Sequence, residues 1–436
     1  MKYQKWFEPT KSAFFDRIRS MRTVTPKGGV QYRLDGNMVV QQMEVGIFAS
    51  ISLREITSPE VLRSSIQAVL LSNALKEDFA DDEFLPLLEK EYANRISLAR
   101  NKFIVVSGFL FEGHPPAEHI QHAGVNVRFL NEAKNAQDAD LIENHIKCVE
   151  ELAFRPFKEP RPEGSMFVAV EVTADSPSTA EAKARQSLDF IRGLLNFVFN
   201  ETKLGEFRIF GNITPRPINE IPSTPYRTVH KTSGQVATET AWFDRYWMQP
   251  KKLLSFGNGN EVRAVNFSRH LAHLSKGHGL STAVERAMLI YCRALDKHDW
   301  RASYLELWTA LEALLLSSTQ DNHVNIPQRL SRMYKDKYFV LAKSHQLREM
   351  RNLFTHEIFE LEESDTKMLL NELNRFVCDT LRFASVNAMK FESLRQWHEF
   401  LDVPQDTAEI QRRLSLYESV LKFREVSREP TPPHNS

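Results

Sequence analysis

The spacing of apolar residues changes character partway along this chain of 436 residues. From about residue 280 onward the only regular spacing is that of an α-helix, with apolar residues recurring every three or four positions. This pattern predicts successive helices over 281 to 298, 300 to 317, 326 to 334, 340 to 360 and 364 to 390. A last helix should begin near Asp406, because Asp406 and Glu409 have the spacing of a capping box.

The first 255 residues instead mix strand signals with helix signals. Every second residue from Val45 to Leu53 is apolar, and this alternation predicts a half-buried strand over 43 to 53. Further strands are predicted over 101 to 113, 166 to 173 and 207 to 211, with Gly108 as a candidate bulge. A serine followed by a proline, at Ser58 and again at Ser176, predicts the start of a helix in each place.

Two loop-like stretches, 214 to 225 and 255 to 261, are rich in proline or glycine and interrupt the pattern. We therefore divide the chain into an α+β region over 1–255, a helical region over 262–425, and a polar tail over 426–436 that is predicted to be disordered.

The composition excludes a general coat for nucleic acid. The 56 basic side chains are balanced by 56 acidic ones, so any contact with RNA must come from a local patch. The three cysteines, Cys148, Cys292 and Cys378, form no closely spaced pair, which predicts reduced thiols. No apolar run approaches the length of a membrane span and no secretion signal is evident, so we expect a cytoplasmic protein with no membrane contact.

The stretch REMRNLFTHEIFE carries the residues best suited to chemistry. In it, Arg351 is followed by the polar Asn352 and, four residues later, by His356. An arginine with a histidine nearby is a weak signal by itself. Two other pairs have equal or slightly longer spacing but an alanine after the arginine: Arg293 with His298, and Arg263 with His270.

Context favours the pair at Arg351. Upstream, Leu305, Trp308, Glu312 and Leu315 share one stripe of a helix, which places a carboxylate on an apolar face. A buried carboxylate is costly unless a cation pairs with it. We expect Arg351 to be that cation, and the pair could also be structural only.

The segment between these two helices has a local excess of positive charge. From 329 to 351 it holds seven basic and two acidic residues, a net of +5. The excess predicts contacts with an RNA backbone through Arg329, Arg332, Lys343 and Arg348, although a solvated helix face is an open alternative.

The sequences LWTALEALL, at 307 to 315, and RNLFTH, at 351 to 356, resemble motifs of the HEPN superfamily, especially its Apea-like branch. The resemblance covers about residues 280 to 390. It implies an α+β region followed by an all-α HEPN-like helical bundle, and an endoribonuclease that needs no metal or other cofactor. It also implies a homodimer whose two motifs face one another, and many members of the family act in antiviral defence or as toxins.

The residue types suit RNA cleavage by the 2′-OH. His356 can serve as base or acid near neutral pH, and Arg351 can donate two hydrogen bonds to a phosphate. Asn352 could hold the phosphate or orient the histidine, and Glu312 would fix the arginine. One well-supported histidine per chain lacks a partner for the second proton transfer, so we expect a homodimer with a composite site.

That dimer should form through the surface around residues 345 to 360, with a two-fold interface. We expect Leu353, Phe354 and Ile358 to supply its apolar part, because they cannot all face one bundle core. The α+β region is expected to bind a trigger, select the RNA or restrain the nuclease.

Two other functions stay open. The helical region could be a non-catalytic module that binds RNA, a nucleotide or a protein partner. Alternatively, histidines assigned to surface loops could hold zinc in a hydrolase: Glu118, His119 and His122 near His114, and His270, His273 and His278. The sequence contains no P-loop and no GxSxG nucleophile motif, which disfavours nucleotide hydrolysis and α/β-hydrolase chemistry.

Overall fold

The computed structural model describes residues 1–426 apart from the following: 6, 26–29, 33–35, 53–58, 73, 77, 99–100, 123, 153–154, 204–218, 245–246, 248–249, 251–252, 257–260, 317–322, 357–362 and 405. At some helix and strand positions, His356 among them, it describes the backbone alone. The chain forms two compact units: an N-terminal unit of residues 1–188 and 223–253, and a helical unit of residues 189–222 and 254–436. The segment 189–222 therefore belongs to the helical unit. The division drawn from the sequence instead placed it in the α+β region.

The N-terminal unit begins with helices and continues into a sheet. Its elements are a short 3-10 helix (Glu8–Thr10), α1 (Lys11–Met21), β1 (Arg22–Val24), β2 (Val30–Tyr32), α2 (Gly36–Ser50), α3 (Pro59–Leu71), α4 (Phe84–Leu98), β3 (Asn101–Leu110), β4 (Glu112–Gly113), β5 (His119–His122), β6 (Val125–Phe129), α5 (Ala136–Glu150), β7 (Ser165–Ala174), α6 (Pro177–Lys203), β8 (Tyr226–Lys231) and β9 (Trp242–Phe243). The boundary between the two units falls inside α6. The N-terminal region is thus α+β.

The strand predicted over 43 to 53 is wrong, because residues 36–50 form α2. The side chains of Val40, Met43 and Ile47 are buried at a spacing of three and four, whereas Val45, placed on the buried face of the strand, is 54% exposed. Helical and alternating apolar patterns coincide over this short stretch. Packing against the helical cluster of α1, α3 and α4 selects the helix.

The main sheet has the order β5-β6-β7-β3-β8-β9, and its neighbouring strands are antiparallel. Its centre is the ten-residue pairing of β3 with β7, which confirms both predicted strands. Gly108 is not a bulge, since it pairs in register with Phe167. A Cβ at Gly108 would lie 2.8 Å from Cγ2 of Thr224, so the glycine permits a close approach of the neighbouring chain.

The predicted helix start at Ser176 is confirmed. The Ser176 hydroxyl accepts a hydrogen bond from the backbone N–H of Thr179 at 3.3 Å, and Pro177 is the first residue of α6. The helix predicted after Ser58 is also present, as α3, although Ser58 itself lies outside the described residues. The strand predicted over 207 to 211 also lies outside the described residues, as does the tail over 427–436.

The helical unit contains the C-terminal part of α6 and the remaining elements. These are β10 (Ser255–Phe256), α7 (Glu261–Ser275), α8 (Ser281–Leu295), α9 (Trp300–Leu315), α10 (Asn325–Ser331), α11 (Lys337–His356), α12 (Glu363–Val386), α13 (Leu394–Asp402) and α14 (Thr407–Val426). The five helices predicted after residue 280 are confirmed as α8 to α12. The helix near Asp406 is α14, and Asp406 accepts a hydrogen bond from the N–H of Ala408 at 3.0 Å.

Helices α8, α9 and α12 pack together and supply most of the buried apolar side chains of this unit. An ion pair joins α6 to the end of α8, since the buried Arg192 donates to both carboxylate oxygens of the more exposed Asp296, at 2.8 and 2.5 Å. Among the described helices of the whole chain, none is long and apolar enough to cross a membrane.

Candidate functional site

The site is built on the face of α11 that points into the helical unit. The side chains of Val340, Ser344, Leu347 and Phe354 are buried, and they recur at the spacing of one helical stripe. Arg351 occupies the remaining position of this stripe, one turn after Leu347, and is partly buried. A cation at a core-facing position needs an acidic partner.

That partner is Glu312 of α9. Nη2 of Arg351 lies 3.8 Å from Oε1 of Glu312, and the exposed fractions of the two side chains are 23% and 20%. The ion pair expected from the sequence is therefore present. At this distance and burial the pair is electrostatic and partly shielded from water.

A histidine lies close to the same carboxylate oxygen. Nδ1 of His323 lies 3.0 Å from Oε1 of Glu312. Both atoms are shielded from solvent, and neither has a well-aligned hydrogen bond among the described residues. The rest of the His323 ring reaches water, as its side chain is 43% exposed. An imidazole that lies beside a carboxylate and is partly exposed to water is suited to proton transfer.

Sequence reasoning missed His323. It lies in the turn before α10, outside any helical stripe, and eleven positions after Glu312. No short motif joins the two residues, so only the folded chain reveals that they are neighbours.

The last turn of α11 is anchored to α9. Nε of Arg301 donates a hydrogen bond to the carbonyl oxygen of Phe354 at 2.6 Å, and Tyr304 donates to the carbonyl of Leu347 at 2.7 Å. The rings of Tyr304 and Phe354 also meet edge to face, with centroids 5.1 Å apart. A cation on the final carbonyls stabilises the negative end of a helix. These contacts fix the part of α11 that carries the motif.

Asn352 and Arg348 have an acidic neighbour on their own helix. Arg348 donates to Glu349 at 3.1 Å through Nε, and Asn352 also hydrogen bonds to this carboxylate. The guanidinium of Arg348, followed by Asn352, lowers the pKa of the exposed Glu349 carboxyl. His356 is the last residue of α11, and its side chain lies outside the described residues.

The RNA-binding role predicted for Arg329 is not supported by its position. Its side chain is only 6% exposed, and it donates to both carboxylate oxygens of Asp402, at 2.9 and 2.7 Å. It also donates to the carbonyl of Leu315, at the end of α9. Arg329 therefore ties α9, α10 and α13 together, and its guanidinium is not available to a phosphate.

The other residues of the predicted basic patch are also close to carboxylates. Arg332 donates to the carbonyl of Leu401 and lies 3.6 Å from Asp402, and Lys343 lies 3.5 Å from Glu372. Glu372 of α12 and Asp402 of α13 thus offset two of the five net positive charges counted along the sequence. The fold reduces the patch to a weaker positive surface.

The expectation that Phe354 faces a dimer interface is wrong, because its side chain is buried in the unit against Tyr304. Leu353 is partly buried, and Ile358 lies outside the described residues. The apolar part of an interface at 345 to 360 would therefore be smaller than the sequence predicts.

The competing arginine and histidine pairs have other surroundings. The Arg263 guanidinium stacks 4.5 Å from the ring centroid of Phe199. His270 is fully buried on α7, its Nδ1 is 2.8 Å from the hydroxyl of Ser385, and burial lowers its pKa to about 4. Arg293 and His298 are exposed near the end of α8.

The loop positions predicted for the zinc candidates are wrong for four of them, since His119 and His122 lie on β5 and His270 and His273 on α7. The other three, His114, Glu118 and His278, lie outside helices and strands. His122 is buried 3.5 Å from the hydroxyl of Ser187, and burial lowers its pKa to about 4. Within the described ranges, no group of three or more histidine, cysteine or acidic side chains is arranged to hold a metal ion.

A scan against protein-family models and searches of curated proteins and of solved structures returned no match to this chain. The class of site therefore has to be argued from its residues and their geometry.

Proposed function

We propose that the helical unit is a HEPN-type endoribonuclease that cleaves RNA without a metal ion. The observation that carries the proposal is the convergence on Glu312: Arg351 and His323 both lie within 4 Å of one carboxylate oxygen. A cation and an imidazole held by one acid supply a phosphate ligand and a proton-transfer group side by side. The resemblance of RNLFTH to a known ribonuclease motif adds His356 to this set.

The proposed reaction is a transesterification. A histidine removes the proton of the 2′-OH, the 2′ oxygen bonds to phosphorus, and the bond from phosphorus to the 5′ oxygen breaks. A second histidine, in its protonated form, donates a proton to the departing 5′ oxygen. Arg351 stabilises the negative charge that develops on the phosphorane, and Asn352 holds a phosphate oxygen.

The acid and the base have two possible arrangements. In the first, which we favour, His356 and His323 of one chain form the pair. The position of His323 supports this arrangement, because it adds a histidine close to Glu312 to the His356 of the sequence motif. In the second, two chains contribute one His356 each to a composite site, as the resemblance implies.

Incubation of the purified chain with total RNA in EDTA tests the function. We expect cleavage that continues in the chelator, with products ending in a 2′,3′-cyclic phosphate. Loss of cleavage in EDTA would support a metal-dependent hydrolase instead. Absence of cleavage in either condition would support a binding module, in which Glu312 and Arg351 form a structural pair only.

Mixing wild-type chains with an excess of His356→Ala chains separates the two arrangements. The chains are unfolded and refolded together, and then assayed. A site within one chain predicts that the activity per wild-type chain stays unchanged. A composite site predicts that this activity falls, because most wild-type chains then pair with a chain that lacks His356.

A further inference from the structure

Helix α14 presents an apolar face to solvent. Every described side chain from Gln411 to Arg424 is exposed. The exposed fractions of Leu414, Tyr417 and Leu421 are 50%, 60% and 58%. Large exposed apolar patches on a protein usually mark an interaction surface. Most of the stability of helices in proteins comes from packing of an apolar face, so a partner for α14 is physically reasonable.

The apolar residues of α14 follow a heptad. Ile410, Leu414, Tyr417 and Leu421 are separated by four, three and four positions, the spacing of alternating d and a positions in a coiled coil. Ser415, Ser419 and Lys422 lie on a polar face, whereas Leu416, Val420 and Phe423 extend the exposed apolar surface beyond the seam on one side. The seam ends at Leu421, because the next d position is Arg424. This is the pattern of a short two-stranded seam.

Charges beside the seam favour one occupant. Arg413 falls at position g and Glu418 at position e of this register. In a parallel pair of identical helices, a g residue faces the e residue five positions later on the other helix. Two parallel copies of α14 therefore bring Arg413 of each copy beside Glu418 of the other.

An antiparallel pair lacks this match, because it pairs g with g and e with e. Arg413 would then lie near Val420 of the second copy, and Glu418 near Gln411. The flanking charges thus select a second, parallel copy of the same helix.

We propose that two copies of this chain associate through α14 as a parallel two-stranded coiled coil. This interface differs from the one expected around residues 345 to 360, and it does not depend on catalysis. A failure of RNA cleavage would leave it unaffected.

Light scattering on the full chain tests the association. We expect a mass near twice 50.4 kDa at micromolar concentration. Leu414→Glu with Leu421→Glu should give the mass of one chain, because charged side chains in the seam separate the helices. The matched control, Ser415→Glu with Ser419→Glu on the polar face, should remain a dimer. A monomeric wild-type chain, or a dimer that survives the seam substitutions, would overturn the proposal.

A charge exchange tests the flanking pair. Arg413→Glu should raise the dimer dissociation constant about tenfold, and adding Glu418→Arg in the same chain should restore it, because the two charges then match again across the seam. Equal weakening by the single and double variants would overturn this register.

Cross-linking tests the direction of the helices. Leu421→Cys should form a disulfide between copies under mild oxidation, since only a parallel pair places position 421 opposite itself. Ser419→Cys, on the polar face, is the control that should not cross-link. The native cysteines are buried, so the wild-type chain should stay unlinked. Absence of the Leu421→Cys cross-link in a dimeric sample would exclude the parallel arrangement.

Discussion

Glu312 of α9 and Arg351 of α11 lie 3.8 Å apart between Oε1 and Nη2, although 39 positions separate them in the chain. Each residue places a charge on the core-facing stripe of its own helix. Neither position is favourable for a charge by itself. The two opposite charges compensate each other only because α9 and α11 pack together. Nδ1 of His323 lies close to the same oxygen, Oε1 of Glu312.

The first prediction concerns His356. Substitution by alanine should abolish RNA cleavage, because it removes a proton-transfer group, and should leave the melting temperature nearly unchanged. The control is His298→Ala, which alters the exposed histidine of a competing pair and should retain activity. Full activity of the His356 variant, with loss in the His298 variant, would move the assignment to Arg293 and His298.

The second prediction concerns Glu312. Glu312→Ala should lower both activity and stability, by roughly 1–2 kcal/mol, because it leaves Arg351 partly buried without its acidic partner. Glu312→Gln keeps the shape of the side chain, and its activity and stability should lie between those of wild type and Glu312→Ala. Urea unfolding and initial cleavage rates are the measurements, and an unfolding midpoint identical to wild type would show that the pair contributes no stability.

The third prediction concerns His323. His323→Ala should reduce kcat about a hundredfold with little change in KM, since the imidazole is proposed to transfer a proton rather than bind substrate. The pH dependence of kcat should also lose one of its two limbs. Gln328→Ala, an exposed position on α10, is the control that should keep wild-type kinetics. An unchanged pH profile would restrict His323 to a structural role.

The fourth prediction separates structure from RNA binding at Arg329. Arg329→Ala should destabilise the helical unit by roughly 1–3 kcal/mol, because it leaves the Leu315 carbonyl without its donor and removes the closer of the two cations beside Asp402. The affinity of the Arg329→Ala variant for RNA, measured by fluorescence anisotropy below its melting temperature, should match that of wild type. A selective loss of affinity with unchanged melting would restore the original assignment.

The fifth prediction concerns acid stability and His145. This residue is fully buried on α5, with Nδ1 2.7 Å from the hydroxyl of Thr228. Burial, and then the nearby His230, lower the pKa of His145 to about 3. Between this value and the unfolded pKa of about 6.5, the unfolded chain binds one more proton than the folded chain. The contribution of His145 to the free energy of unfolding should therefore be fully present above pH 6.5 and should be lost as the pH drops toward 3.

Urea midpoints at pH 7 and pH 4.5 measure this loss. His145→Gln removes the titrating ring, so its midpoint should change less between the two pH values than that of wild type. The exposed His119→Gln is the control and should follow wild type. The same pH response in all three chains would show that the His145 pKa is not depressed.

The sequence by itself determined the elements whose signals are local. The helices after residue 280 follow from long apolar stripes, and β3 and β7 follow from runs of apolar and β-branched residues. The start of α6 follows from Ser176 and Pro177, because a cap depends on residues within one turn. The pairing of Glu312 with Arg351 could also be predicted, since Glu312 interrupts an apolar stripe and therefore needs a cationic partner.

Tertiary structure decided the rest, because it depends on residues distant in the chain. The short pattern over 43 to 53 fitted both a strand and a helix, and packing against α1, α3 and α4 selected α2. The charge of Arg329 looked free in the sequence until the fold placed Asp402 beside it, 73 positions away. His323 belongs to no stripe or motif, and only the approach of its turn to α9 brings it to Glu312.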